Sequence, residues 1–191
     1  MAQTSTTIQS ATPHKANITG TVISFTKTGT QYKIASSNTT TTSLGALAQF
    51  DLITVTGTTS NNKTFTVKSV TSSQVIVEEE VTTEAAGASV TLDYVGFVTD
   101  KYQGDGFYSQ VDGMHTVAYH VNSTMTGSIK MQGSLATTPT EDDWFDVSGT
   151  TFTADQSTLV DSKNFTGNFV WVRAKCTGMT AGSVTKILYN H

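Results

Sequence analysis

The sequence predicts an all-β protein: a small antiparallel β-barrel or sheet domain followed by a jelly-roll-like β-sandwich. Three observations predict it. Thr supplies about a fifth of the 191 residues, and its branched Cβ suits a pleated strand better than a helix. Short runs of alternating apolar and polar residues recur, separated by clusters of Gly, Ser, Thr and Asn. No window joins a helical period to good helix formers. The length allows two small domains, each able to bury a core. The expected division is an N-terminal arm at 1–16, a small β-domain at 17–95 and a sandwich at 96–191.

The arm is polar, with Pro13 and no periodicity. It has too little apolar surface to order itself, so its order would come from docking on a neighbour. A first strand is expected over residues 17–25 and a second over 31–35, joined by a turn at Lys27-Thr28-Gly29-Thr30. Residues 36–43 form a loop, and 44–49 allow one or two helical turns. Residues 50–56, 64–70 and 75–81 then read as strands, with Val75, Val77 and Val81 sharing one face. The polar tip Thr58-Thr59-Ser60-Asn61-Asn62-Lys63 is expected to turn through its asparagines, which tolerate left-handed backbone. A further strand covers 88–95. Gly96 is a hinge, and 97–108 is an aromatic, glycine-rich loop that either packs between the domains or lies on a partner. The second domain begins with a strand at 114–121. Its clearest strand, 128–135, turns Ile129, Met131 and Leu135 inward and Lys130, Gln132 and Ser134 outward. Strands at 169–176 and 183–189 complete it, the last with Val184 and Leu188 opposite Ile187 and Tyr189.

Composition excludes several functions. Charged residues are only 14% of the chain, the formal charge is −4, and Arg173 is its only arginine. Nucleic-acid binding calls for clustered cations, so no nucleic-acid partner is expected. No apolar run reaches the roughly 20 residues a spanning helix needs, and no membrane partner is expected. Residues 1–10 lack the basic start and apolar centre of a secretory signal. Cys176 has no second cysteine to bond. The Asn-x-Thr triplets at Asn17, Asn38, Asn62, Asn122 and Asn164 follow from Thr-rich composition.

Chemistry is sparse. Glu141-Asp142-Asp143-Trp144-Phe145-Asp146 lacks the spacing and bending Gly of a calcium loop. It reads as an Asp-rich turn after Pro139, with Trp144 and Phe145 plugging the sandwich; Trp144 is also the candidate for stacking on a glycan. His115 and His120 fall on opposite strand faces and cannot share a metal. Gly104-Asp105-Gly106 and Asp112-Gly113 are turn formers, not a phosphate cradle, and no GxSxG elbow is present. No catalytic residue, metal or cofactor is assigned. Among Glu78, Glu79 and Glu80, alternation turns one inward. Trp171, Arg173 and Lys175 share one strand face and make a candidate interface row, because Trp and Arg concentrate at interface centres. Tyr102, Phe107 and Tyr108 of the aromatic loop join them as interface candidates.

ITVTG at residues 53–57, SNN at 60–62 and EAAGASVTL at 84–92 resemble a small β-domain recurrent in structural proteins of tailed bacteriophages. GSLATTPTEDDWFDV at 133–147 and NFVWVRAKCTGMTAGSVTKILYN at 168–190 resemble the C-terminal sandwich domains of phage virion proteins. The resemblance implies a non-enzymatic virion component, assembled in the bacterial host cytoplasm. Capsid decoration comes first, a neck or tail position (fibre or baseplate) next, and a carbohydrate-binding module for host glycan is the competing class. The expected partners are other virion proteins and further copies of the chain, a trimer by preference.

Overall fold

The computed structural model describes residues 5–108 and 113–190. The first four residues of the arm, Asp112 of the Asp112-Gly113 turn, and His191 lie outside them. The described residues bear out the all-β class: they form antiparallel strands and two short 3₁₀ turns, with no α-helix. In chain order the strands are β1 (Ser5–Gln9), β2 (Thr12–Pro13), β3 (Ile18–Gly20), β4 (Ile23–Thr28), β5 (Gln31–Ser36) and β6 (Asp51–Thr56). Then come β7 (Thr64–Val70), β8 (Gln74–Val77), β9 (Val90–Val98), β10 (Tyr102–Gln103), β11 (Met114–Val121) and β12 (Ser128–Ser134). The last are β13 (Phe145–Asp146), β14 (Phe152–Thr153), β15 (Val160–Thr166), β16 (Trp171–Thr177) and β17 (Ser183–Asn190). Two compact units divide the chain: residues 15–97, and residues 98–191 together with 1–14.

In the unit at 15–97 the strands run β3-β9-β6-β7-β8-β5-β4, each antiparallel to its neighbour. Only Thr21 and Val22 separate β3 from β4, so the two ends of this order are tied together and the sheet rolls towards a barrel. Phe25 and Glu84 exchange backbone hydrogen bonds of 2.9 and 3.0 Å, which covers the outer edge of β4. Ile23, Phe25, Ile53, Phe65, Val75 and Leu92 are among the side chains filling the interior.

Here the structure corrects several expectations. The strand read over 17–25 breaks in two, because the chain crosses from one end of the sheet order to the other at Thr21-Val22. Residues 44–49 form turns, not a helix, and bury Leu44 and Leu47 in the barrel core. At the 58–63 tip the left-handed residue is Gly57, at φ 84°, not an asparagine. Asn61 is instead buried, its amide donating to Thr82 O at 3.0 Å and to Glu84 at 3.1 Å. Of the three glutamates Glu79 turns inward, accepting from Thr66 N and Thr66 Oγ1 at 2.7 Å each.

The other unit packs two sheets. One runs β1-β17-β11-β15 with β2 beside β17; in the other, β13 and β14 flank β12, which pairs with β16, and β10 pairs with β16. Val117, Tyr119, Val184, Ile187 and Tyr189 from the first sheet and Ile129, Met131, Val172, Ala174 and Cys176 from the second are buried. The Tyr119 hydroxyl donates to Thr150 O at 2.8 Å and its ring stacks on Phe152, so the two sheets face each other as a sandwich. His115 is fully buried and His120 partly exposed, as opposite faces require. His115 Nδ1 lies 2.7 Å from the Tyr189 hydroxyl, and Nε2 lies 3.1 Å from Gly167 O.

The arm does not need a neighbour to order: residues 5–9 pair antiparallel with β17, and Ile8 is buried. Edge pairing supplies the order that its apolar content could not. In β17 the expected alternation fails for Leu188. Val121 pairs with Val184 but His120 with Lys186, so Thr185 is an extra residue that moves Ile187 and Tyr189 onto the buried face with Val184. Leu135 is not inward either. β12 ends at Ser134, and Leu135 is 64% exposed.

Candidate binding face

The outer face of the β12–β16 sheet gathers most of the candidate residues. Register places Lys130, Gln132 and Ser134 directly opposite Lys175, Arg173 and Trp171. Directly opposite residues share a face, so Trp171, Arg173 and Lys175 all point away from Val172, Ala174 and Cys176. They do not form a uniform row. Each is held differently.

Arg173 is only 5% exposed. Its Nε donates to Gln132 Oε1 at 3.0 Å, and its two terminal nitrogens reach the Glu141 carboxylate at 2.8 Å each. Trp144 lies against the guanidinium, 4.2 Å from ring centroid to Cζ. A forked, doubly bonded and ring-stacked Arg is spent within its own chain. Trp144 therefore covers Arg173 and does not plug the core, and Phe145 is 44% exposed. The cover is itself braced. Thr140 N and Oγ1 donate to Asp143 at 2.7 Å, holding that carboxyl below its usual range. Burial works against ionisation of Asp146, but hydrogen bonds from Lys130 and Gln132 outweigh it and hold Asp146 low, with Lys175 adding to the positive field.

Trp171 anchors a second cluster. Its indole N–H donates to Thr137 O at 3.0 Å, Lys101 Nζ sits 4.7 Å from the ring, and Phe107 packs 5.1 Å away. Tyr108 meets Phe107 edge-on at 5.3 Å, and its hydroxyl donates to Gln103. Phe107 and Tyr108 belong to a 3₁₀ turn at Asp105–Tyr108 and are 43% and 50% exposed. Leu135 follows Ser134, the residue opposite Trp171, and is itself exposed. Tyr102 does not join this cluster: it pairs with Val172 and lies on the other side of the strand from Gln103 and Trp171. Burial raises its phenol above the ordinary value.

The arrangement can do one thing well. Aromatic rings held by a hydrogen bond, a cation and one another present apolar area that is already ordered, which lowers the entropy lost when a partner covers it. Lys101 and Gln103 were not singled out from sequence; Leu135 was expected inward at the end of the 128–135 strand, and Glu141 in an Asp-rich turn. Leu135, an apolar residue at a strand end before small residues, was the available signal; the pairing of Glu141 with Arg173 had none. Among the described residues no group of three His, Cys, Asp or Glu side chains is placed to hold a metal. No family model matches the sequence, and no curated protein matches it.

Proposed function

We propose that the protein is a non-enzymatic structural component of a tailed-bacteriophage virion, first a capsid decoration or cement protein and otherwise a neck or tail component. The observation that carries the reading is the exposed, pre-ordered cluster of Phe107, Tyr108 and Trp171. Such a surface suits adhesion to a partner. Acidic side chains elsewhere are engaged in holding loops: Glu141 by Arg173, Asp143 by Thr140, Asp155 by Ser157 and Thr158, Glu84 by Thr59, Ser60 and Asn61. The phrases that resemble phage structural proteins supply the virion setting. Many weak contacts repeated over a particle give avidity without a single tight site.

The test uses particles lacking the chain, to which purified protein is added back and bound copies counted. Wild type is expected to bind. A Phe107→Ser, Tyr108→Ser double variant should lose about tenfold or more, the scale of removing an aromatic anchor. Equal binding by the variant would move the contact off this face. No particle binding by wild type, together with saturable binding to one glycan on an array, would replace the cement reading with host-glycan recognition.

A further inference from the structure

The β15 edge of the sandwich has hydrogen-bonding groups that no described strand uses, since β15 ends its sheet. Val121 N donates to Leu159 O, one step beyond the His120–Val160 pair that ends the β11–β15 register. The backbones of Leu159, Asp161, Lys163 and Phe165 therefore point to β11, and those of Val160, Ser162 and Asn164 point outward. Side chains alternate as well. Asp161, Lys163 and Phe165 stand opposite the buried Tyr119, Val117 and His115, so they lie on the inner face.

We infer that this edge pairs antiparallel with the same edge of a second copy, about a two-fold axis at Ser162. In that register Ser162 faces Ser162, and Val160 faces Asn164, of the other copy. Every outward N–H and C=O in the span then meets a partner, giving about six main-chain hydrogen bonds. The inner-face side chains match too. Asp161 falls opposite Lys163, and Leu159, which is 45% exposed, opposite Phe165. Moving the register by two residues one way sets Asp161 against Asp161; the other way sets Lys163 against Lys163. A one-residue slip pairs outward backbone with inward backbone and forfeits the hydrogen bonds. Of the registers centred on Asp161, Ser162 or Lys163, only the one about Ser162 avoids opposing like charges.

Charges turned inward on an edge strand are a common guard against indiscriminate pairing. Asp161 and Lys163 already pair within one chain at 2.8 Å, and they are opposite in sign and symmetric about Ser162. They repel a generic apolar strand yet complement their own copy. A self-complementary patch is what a two-fold interface requires. The inference stands apart from the virion reading, because it concerns the free protein.

The experiment is the concentration dependence of molar mass for the full chain, by light scattering and sedimentation. Wild type should double in mass. Ser162→Pro removes an outward N–H while leaving the β11 ladder intact, and should weaken association at least tenfold. Asp161→Lys and Lys163→Asp should each be monomeric alone, yet associate when mixed, because each then faces opposite charges. The double swap carrying both substitutions should recover the wild-type mass. If Ser162→Pro fails to fold, the charge variants decide. A wild type that stays monomeric, or charge variants that dimerise like wild type and gain nothing on mixing, overturns the inference.

Discussion

Arg173 shares a strand face with Trp171 and Lys175, yet its guanidinium is fully engaged within its own chain, by Gln132 and Glu141. One strand face can hold both a docking residue and a brace, and only the covering segment at 135–146 distinguishes them. Removing the carboxylate that pairs with the buried guanidinium should cost more than removing an exposed ion pair. Glu141→Ala is therefore expected to destabilise the sandwich by about 2 kcal/mol, discounted because Glu141 is partly exposed. A urea titration followed by Trp fluorescence checks it, since Trp144 lies against that guanidinium. Asp155 offers a pH test. Backbone N–H groups of Thr158 and Ser157 and the Thr158 hydroxyl hold its carboxyl at about 2, below the ordinary carboxylate value. A depressed folded pKa stabilises above the unfolded pKa, and that stabilisation fades as pH falls towards the folded value. Asp155→Ala should thus lower Tm at pH 7, and the gap from wild type should narrow from about pH 4 to pH 2. A gap independent of pH would show that the carboxylate charge is not what orders this loop.

At the scale of the element, Gly57 ends β6 with φ at 84°, and a Cβ there would sit 2.2 Å from Ser89 O. Both the backbone region and the space exclude a side chain. Gly57→Ala should destabilise the barrel by about 2 kcal/mol or more, read as a lower midpoint in far-UV circular dichroism. Elements with alternating apolar residues were legible: β7 and β11 fall where the pattern put them, and Val75 and Val77 are buried along β8, although that strand, expected to reach 81, ends at Val77 and Val81 is buried beyond it. β15 was missed. Its sequence VDSKNFT has two apolar residues and no alternation, because an edge strand with charges at its inner face need not bury a stripe. The expected grouping of Val184 with Leu188 opposite Ile187 and Tyr189 does not hold, because a bulge at Thr185 leaves no mark in the hydrophobic pattern. The candidate face was half legible: its aromatic residues stand out by type. Tyr102 and Trp171 could not be separated without the β10–β16 register, and the Glu141 clasp joins residues 32 apart in the chain.

Over the whole molecule, the first residues of the chain complete the unit built from its last hundred or so, not the barrel that follows them. Local sequence could not show this, since β1 carries one buried apolar residue, Ile8, and its order comes from the distant β17. His14 N donates to Gly182 O at 2.8 Å, and the next residue, Lys15, is tied into the barrel unit by Asp51 at 2.6 Å. Deleting residues 1–14 should therefore weaken the sandwich and spare the barrel. It exposes the outer edge of β17 and removes Ile8, whose burial contributes roughly 1.5–3 kcal/mol. The two units can be followed separately, because both tryptophans, Trp144 and Trp171, belong to the sandwich and the barrel has none. In a denaturant titration of the truncated chain, the Trp fluorescence midpoint is expected to fall by the equivalent of about 2–3 kcal/mol. Circular dichroism should then resolve a barrel transition that stays at its wild-type midpoint while the fluorescence transition moves to lower denaturant. Unchanged fluorescence would mean that β1 is a passenger on the sandwich, and a barrel that melts together with it would mean that the two units fold as one.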